Sequence, residues 1–269
     1  MLASGRQDER LWLARIDRAL HDRQAALALE RIRQAEARLG PNAQLHFRAA
    51  QAYYQLGQAL GGTRVLRVPG GRAGQFFGDW LLVERRREPD WFLCCPRQSA
   101  LYQMRQALDA GLDEPAAHCL HARIWQQAGR PEVGWSILRG HETLLLERPS
   151  PQTLASFAEL ALAVGALDDF LRYAHRRAAL EPRHGTAILA DAYRRAAERC
   201  GQRGDELLCR ALLRCALALV PDDAELALRL ADSLWDAGAR DEARLWYRRV
   251  LEREPAHRAR TRVLRRLAE

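Results

Sequence analysis

One spacing, repeated along the chain, constrains the fold more than any other feature of the sequence. An alanine is followed seven residues later by a glycine at Ala50–Gly57, Ala122–Gly129, Ala158–Gly165, Ala197–Gly204 and Ala231–Gly238, and Ala14–His21 continues the series with histidine in the glycine position. A small residue within a helix lets a second helix approach closely, and glycine adopts the left-handed conformation that ends a helix. Proline, which cannot continue a helix, stands 17 residues after Gly165, Gly204 and Gly238. The spacing predicts a series of antiparallel helical hairpins.

The last hairpin, residues 224–255, has the most regular pattern. Two apolar faces at helical spacing lie on its two helices, the first made of Leu226, Leu230, Ala231 and Leu234 and the second of Ala243, Tyr247, Val250 and Leu251. Ala243, Tyr247 and Pro255 follow the A-x3-F and Pro ending of the tetratricopeptide repeat (TPR), with tyrosine for phenylalanine, so the chain resembles the TPR family. The resemblance implies an all-α, right-handed superhelical solenoid of about six hairpins. It also implies a protein–protein interaction scaffold, an adaptor or an assembly subunit, and not an enzyme.

The other hairpins are placed by alignment on this unit. They cover residues 7–41, 43–111, 115–149, 151–182, 190–221 and 224–255 of one domain, 1–269, with a capping helix at 257–269. In the first hairpin, His21 and Asp22 replace the glycine turn. In the second, Gly57 is expected to end the first helix, and the partner helix is expected at Ser99–Ala110, because residues 58–99 form an insertion.

The insertion differs in composition from the rest of the chain. It is rich in glycine and in aromatic residues, namely Phe76, Phe77, Trp80, Trp91 and Phe92. Three short runs favour strands, Arg64–Val68, Trp80–Glu84 and Trp91–Cys94. So many apolar groups argue against a disordered linker, and a small folded element such as a β-hairpin is expected. Its aromatic residues either pack on the helices or form an interface, and long insertions in compact domains are often functional.

The family resemblance also implies which residues bind partners. In TPR proteins the inner groove is lined mainly by residues of the first helix of each hairpin. Carried over to this sequence, these positions include Phe47, Gln51, Tyr54, Arg123, Glu159, Arg194, Asp232, Trp235 and Asp236, and the insertion adds Phe76, Phe77, Trp80 and Trp91. The N-terminal part of this surface is polar and aromatic, and the C-terminal part is mostly acidic. Chaperone-binding TPRs hold a carboxylate with a Lys/Asn clamp, which this lysine-free sequence lacks.

The charge of the chain leaves nucleic acid as an alternative partner. The net charge is +8 and all 42 basic residues are arginine, as a GC-rich genome would produce. A column on successive second helices consists of Arg31, Arg139, His175, Arg214 and Arg248, and such a stripe could follow a phosphate backbone. No aromatic residues are interleaved with it, although single-strand binding favours them. Protein partners are therefore expected, and nucleic acid is the second hypothesis.

Metal, cofactor and membrane functions find little support in the sequence. Cys94, Cys95, His118, Cys119 and His121 have metal-ligand chemistry but match no standard zinc spacing. The glycine-rich run at 61–74 fits neither a P-loop, which needs lysine, nor a dinucleotide-binding fingerprint. No apolar run is long enough to span a bilayer, and no signal peptide is present, so a cytoplasmic protein is expected. No catalytic residue, metal, cofactor or small-molecule substrate is predicted, with a metal or thiol site around the insertion as a further alternative.

Overall fold

The chain is mainly helical, as the sequence predicts. In the computed structural model, the backbone is described for residues 2–269 and the side chains for residues 7–269. The chain divides into two compact units, Met1–Arg148 and Pro149–Glu269. The first contains α1 (Leu2–His21), α2 (Ala25–Leu39), α3 (Ala43–Leu60), β1 (Arg64–Arg67), β2 (Phe76–Phe77), β3 (Trp80–Arg85), β4 (Trp91–Cys94), α4 (Pro96–Asp109), α5 (Pro115–Gln127), α6 (Pro131–Gly140) and α7 (Glu142–Glu147).

The second unit is entirely helical. It contains α8 (Pro151–Val164), α9 (Leu167–Leu180), α10 (Gly185–Gln202), α11 (Glu206–Leu219), α12 (Ala224–Asp236), α13 (Arg240–Arg253) and α14 (Arg260–Ala268). In both units consecutive helices pack as hairpins. That all the hairpins form one continuous array stays a prediction.

Local sequence signals set the ends of most helices. The side chains of Asn42, Ser150, Asp205 and Asp223 each accept a hydrogen bond from a backbone N–H three residues later, which caps the first turn of α3, α8, α11 and α12. Proline occupies the first residue of α4, α5, α6 and α8, where no backbone N–H is needed. Gly165 ends α8 with φ of 82°, in the left-handed region.

The first hairpin departs from the predicted spacing by two residues. The left-handed turn residue is Arg23, with φ of 55°, the one non-glycine residue with positive φ in the described chain. Counting back seven residues from Arg23 places Ile16, which is fully buried, in the alanine position, whereas Ala14 is exposed. The predicted pairing of Ala14 with a turn at His21 is therefore wrong. Because Arg23 replaces the glycine, the sequence carries no mark of the true turn.

The second hairpin also corrects a prediction. Gly57 does not end α3, which continues to Leu60 and is capped by Gly61 in the left-handed conformation. Gly57 is instead buried, and a Cβ atom there would lie 2.7 Å from Oε1 of Gln127 on α5. The glycine allows this close approach between α3 and α5. Because an inserted sheet follows α3, no tight turn is required at residue 57.

The insertion folds as a four-stranded antiparallel sheet with strand order β1-β4-β3-β2. Three of its strands occupy the predicted runs, and the two-residue strand β2 was not predicted. Four buried residues, Val68, Leu82, Phe92 and Cys94, form a core of the sheet that is separate from the helical core of the first unit. The sheet rests on α4, where the backbone N–H of Leu81 donates to Oγ of Ser99. Residues 61–95 thus form a small folded element between α3 and α4.

The third hairpin has a break in its second helix. Gly129 and Pro149 are 20 residues apart, three more than the spacing in the later hairpins. The extra length is accommodated at His141, where α6 ends and the six-residue helix α7 begins. His141 has ψ of 17°, and its ring stacks on the buried ring of His118 with centroids 3.8 Å apart. The interruption thus places an imidazole against α5.

The hairpins share buried positions but fill them with different side chains. Five and nine residues after the turn glycine, both residues are buried in the last four hairpins. These pairs are Gly134 and Leu138, Phe170 and Ala174, Cys209 and Leu213, and Ala243 and Tyr247. Each pair combines a smaller with a larger side chain, and the order is reversed in the α8–α9 hairpin. Compensation of volume keeps the packing dense while the sequence pattern varies.

Candidate functional site

The first helices of the three hairpins in the first unit, α1, α3 and α5, lie side by side and share a polar surface. We call this surface the A-face; it consists of Asp17, Gln44, Arg48, Gln51, Tyr54, Glu114 and Arg123. The guanidinium of Arg48 binds both carboxylate oxygens of Asp17, at 2.7 and 2.9 Å. Gln44 accepts from Arg48 at 2.6 Å and donates to Oε1 of Glu114 at 2.8 Å. A chain of hydrogen bonds therefore fixes the three helices in register.

An aromatic and a cation lie further along the A-face. The guanidinium carbon of the exposed Arg123 is 5.2 Å from the ring centroid of half-buried Tyr54. The backbone carbonyl of Tyr54 accepts from Nε2 of Gln127, which anchors that turn of α3 to α5. Within residues 7–269 no carboxylate forms an ion pair with Arg123, so its charge is directed at the ring and at solvent.

One residue predicted for this surface belongs to the core. Phe47 is 6% exposed and packs in the helical core of the first unit. Its prediction as a partner-binding residue is corrected, because the aromatic ring is needed to fill the space between hairpins. Gln51 and Tyr54 remain partly accessible at the spacing expected of one helical face.

In the second unit, the predicted site residues are engaged by other side chains. The carboxylate of Glu159 on α8 binds Arg195 of α10 through two hydrogen bonds of 2.5 and 2.6 Å. Arg194 pairs with Asp191 and Glu198 along its own helix. Arg195, which packs against Glu159 and Phe170, lines a cavity of about 260 Å³ between α8, α9 and α10. Cations and carboxylates at this cavity neutralise one another, so it favours no ligand of one charge.

The last helix covers the acidic residues that the sequence predicts at the C-terminal end of the surface. Asp232 of α12 accepts hydrogen bonds from Arg262 at 2.8 Å and Arg266 at 3.0 Å, both on α14. The hydroxyl of buried Tyr247 also donates to Asp232, at 2.7 Å. Burial and this carboxylate raise the pKa of Tyr247 to about 12. The prediction of a mostly acidic surface here is therefore corrected, because α14 supplies the opposite charge.

Trp235 and Asp236 share the same neighbour. The guanidinium carbon of Arg266 is 5.3 Å from the ring centroid of Trp235, and Arg240 approaches the same ring to 5.4 Å. Nη2 of Arg266 lies 3.8 Å from the carboxylate of exposed Asp236. These residues hold the terminal helix α14 against α12 and α13.

The four aromatic residues predicted in the insertion have different surroundings. Phe76 packs edge-on against Tyr102 of α4, with ring centroids 5.0 Å apart, and joins the sheet to the helical core. Trp80 packs on the core of the sheet, with the guanidinium of Arg64 5.8 Å from its ring centroid. Phe77, in contrast, is 50% exposed. Trp91 is half-buried at the edge of a surface depression.

That depression lies on the face of the sheet opposite its core. It has a volume of about 760 Å³ and is lined by Val65, Glu84, Arg85, Arg86, Arg87, Glu88, Trp91 and Leu93. Strand pairing places Val65, Leu93 and Glu84 in one row, and Arg67 beside Trp91 in the next. We call this surface the outer face of the sheet. Its centre is apolar and its margin is rich in arginine.

Val65, Leu93 and Arg67 were not predicted as site residues. The sequence did contain a signal for them, since side chains alternate between the two faces of a strand. Leu66 lies on the core side of Arg64–Arg67, so its neighbours Val65 and Arg67 belong to the opposite face. The pairing of Asp17 with Arg48 across two hairpins carries no such local signal.

Several residues of the predicted metal alternative are engaged by other groups. Cys94 belongs to the core of the sheet, where burial raises the pKa of its thiol. Nε2 of His118 lies 2.7 Å from Oδ1 of Asp113, and Nε2 of His121 accepts from the indole N–H of Trp125 at 3.0 Å. In the part of the chain with described side chains, no three His, Cys, Asp or Glu residues are placed to hold a metal ion.

The arginine column of the nucleic-acid hypothesis is partly neutralised. Arg139 forms an ion pair with Glu142 at 2.8 Å, and Arg214 forms one with Glu242 at 2.6 Å. Nη1 of Arg31 donates to the backbone carbonyl of Arg15. His175 lies against the hydroxyl of Tyr193, at 2.9 Å, and Arg248 is exposed.

Among the helices of the described chain, none is long and apolar enough to cross a bilayer.

Comparison with known structures identifies the fold. The chain is similar to the C-terminal part of a TPR repeat-containing protein from Cytophaga hutchinsonii, with a TM-score of 0.57 over 89% of this chain and 78% of that one, at 10% identity. It is also similar to YrrB, described as a TPR protein with an unusual peptide-binding site, with a TM-score of 0.51 over 81% of this chain and 89% of that one, at 16% identity. No protein-family model and no curated protein matches the sequence.

Proposed function

Because the chain has the tetratricopeptide-repeat fold, we propose that it is a protein-interaction module, an adaptor or assembly subunit without catalytic activity of its own. It binds partner proteins through the A-face of the first unit and through the inserted sheet. Repeat folds of this kind present extended surfaces built from successive hairpins, which suit a polypeptide ligand. YrrB is described as having a peptide-binding site, and a peptide is a ligand of this class.

The observation that carries the proposal is the separate core of the inserted sheet. Val68, Leu82, Phe92 and Cys94 bury one another, and the helical core of the first unit forms without them. Among the described residues of the sheet, Phe76 packs against the helical core, so most of the sheet folds on a core of its own. It nevertheless leaves Val65 45% and Phe77 50% exposed to water. Val65 lines a depression together with Trp91 and Leu93, and a contiguous apolar patch of this kind is characteristic of an interface.

The A-face supplies the second surface. Its hydrogen-bonded chain from Asp17 to Glu114 fixes the three helices before any partner binds, which reduces the entropy lost on binding. Tyr54 and Arg123 combine a flat apolar ring with a cation, and tyrosine and arginine are enriched among the residues that dominate interface energies. A polar peptide with an acidic residue opposite Arg123 fits this surface.

A capture experiment from the native cell tests the proposal. Two variants each remove one surface: Tyr54→Ala with Arg123→Ala on the A-face, and replacement of residues 63–94 by a Ser–Gly linker, which leaves the Gly61 cap and Pro96 in place. Arg105→Ala, at an exposed position of α4, is the matched control. Partners retained by the wild type and by Arg105→Ala should be lost or weakened in at least one surface variant. Retention of every partner by both surface variants, with helical circular dichroism unchanged, would contradict the proposal.

A further inference from the structure

Strand β1 is an edge of the inserted sheet with an open backbone. It pairs with β4 on one side and has no strand on the other. The N–H of Val68 donates to the carbonyl of Asp90, just beyond the β1–β4 ladder, at 2.6 Å. In an antiparallel pair, the hydrogen-bonding groups of alternate residues point to the same side. Leu66 therefore faces β4 with its backbone groups, and those of Val65 and Arg67 point away from the sheet.

These outward groups have no partner within the described chain. No hydrogen bond from the described backbone, or from the side chains of residues 7–269, reaches the backbone N–H or C=O of Val65 or Arg67. Both side chains are also exposed. Unpaired edge groups are a template for a further strand, and extended peptides bind to many proteins in this way.

Charge decides which kind of strand fits. Arg64 and Arg67 flank the apolar pair of β1, in the sequence Arg-Val-Leu-Arg. A second copy of β1, added antiparallel, must pair its outward-facing residues with Val65 and Arg67; in the register centred on Leu66, Arg67 of one chain lies opposite Val65 of the other, and neither arginine meets a carboxylate. A partner strand with carboxylates opposite Arg64 and Arg67 gains two ion pairs instead. The edge therefore favours an acidic segment over a second copy of β1.

The outer face adds to this selectivity. Arg86 donates its backbone N–H to the carbonyl of Trp91 at 2.8 Å, so it lies beside the row of Trp91 and Arg67. The guanidinium of Arg85 is used differently, since it donates to the carbonyl of Pro89 and lies 6.0 Å from the ring centroid of Phe92. No ion pair within the described side chains involves Arg67, Arg86 or Arg87. An added strand would lie directly beside Val65 and Arg67, with Trp91 and Leu93 on the next strand of the same face.

We propose that β1 binds an extended, acidic segment of a partner protein as a fifth strand of the inserted sheet. This inference rests on the proposed function and specifies the ligand of one of its two surfaces. Read antiparallel to β1, the complementary core is Glu-Val-Val-Glu, with one glutamate opposite Arg67 and the other opposite Arg64. The first valine lies opposite Leu66 on the core side, and the second lies opposite Val65 on the outer face.

Binding of a defined peptide tests the inference directly. The probe is fluorescein-labelled Thr-Thr-Glu-Val-Val-Glu-Thr-Thr, with the corresponding Lys-Val-Val-Lys peptide as its charge-reversed control, and fluorescence anisotropy is the measurement. The acidic peptide should bind the full-length protein at least about tenfold more tightly than the lysine peptide, since two ion pairs are exchanged for two repulsions. Binding should slow hydrogen exchange at the amides of Val65 and Arg67.

Two variants separate backbone pairing from charge. Val65→Pro removes an N–H that points away from β4, so the β1–β4 hydrogen bonds remain while strand addition is blocked. It should abolish acidic-peptide binding. Arg64→Glu with Arg67→Glu should reverse the preference, so that the lysine peptide now binds about tenfold more tightly. Arg105→Glu on α4 makes one such charge reversal away from the sheet and should leave binding unchanged. Gain of binding in the reversed pair also shows that the double variant is folded.

Several outcomes would overturn the inference. These are equal binding of the two peptides, binding that survives Val65→Pro, or protection of α3 and α5 in place of β1. Tighter binding of a single-stranded RNA oligonucleotide, lost with Arg67→Glu, would assign the arginines to phosphate. In each case, the proposed function stands if the Val65→Pro variant still captures cellular partners and the Tyr54→Ala, Arg123→Ala variant does not. If both variants retain every partner, the inference and the proposed function both fail.

Discussion

Acidification should destabilise the first unit through His121. Nε2 of His121 accepts a hydrogen bond from the indole of Trp125, so its lone pair is in use in the folded state. Burial, together with the neighbouring His118 and His141, lowers the pKa of His121 to about 4. An unfolded histidine has a pKa of about 6.5. Since the folded pKa is the lower one, stability is complete above about pH 6.5 and falls as the pH drops toward 4.

The magnitude follows from the difference in proton binding. At about pH 5 the unfolded side chain is protonated and the folded one is neutral, which costs about 2 kcal/mol at 1.4 kcal/mol per pH unit. His121 is partly accessible, so solvent screening reduces this to about 1 kcal/mol. For a unit of this size, that free energy corresponds to a lower melting temperature by about 2–4 °C.

Thermal unfolding of the wild type and of His121→Gln, followed by circular dichroism at about pH 7.5 and pH 5, measures the effect. Glutamine retains an acceptor for Trp125 but does not titrate. The variant should lose about 2–4 °C less than the wild type on acidification. His21→Gln, at an exposed site on α1, should behave as the wild type does. Parallel pH dependence of the wild type and His121→Gln would refute the reasoning.

Two further substitutions test the packing of the second unit. Ala231→Leu, at a fully buried position of α12, should lower the free energy of unfolding by about 1–3 kcal/mol through overpacking. The control Ala218→Leu, at an exposed position of α11, should leave it unchanged. Equal melting temperatures of the two variants would show that α12 and α13 do not cross closely at Ala231. Tyr247→Phe should cost about 1–2 kcal/mol in chemical denaturation, because Asp232 and Arg266 lose a shared hydroxyl, and an unchanged denaturation midpoint would show that water replaces it.

The regular hairpins could be predicted because their signals are local. Gly165 and Gly238 take the left-handed conformation that only glycine adopts readily, and Pro182 and Pro255 follow the second helices at a constant distance. The turn of the first hairpin was predicted wrongly because Arg23, and not a glycine, adopts this conformation there. The series of alanines and glycines then placed the turn two residues too early.

The candidate site was harder to predict than the fold, because exposure depends on tertiary neighbours. Phe47 occurs at a surface position of the repeat pattern but fills the core of the first unit. Asp232 has an acidic sequence context but is neutralised by Arg262 and Arg266, which lie 30 and 34 residues later. The open edge of β1 depends on strand order, and the sequence did not specify whether Arg64–Arg67 was central or terminal in the sheet.

Hydrogen exchange of the full-length protein, alone and bound to a partner captured from its native cell, tests the central claim most directly. We expect slower exchange on partner binding in β1, around Val65 and Arg67, or on the A-face in α3 and α5 around Tyr54 and Arg123. The helices α9, α11 and α13 should exchange as in the free protein and serve as internal controls. Protection confined to those three helices, with β1, α3 and α5 unchanged, would contradict the claim that the A-face and the inserted sheet bind partners.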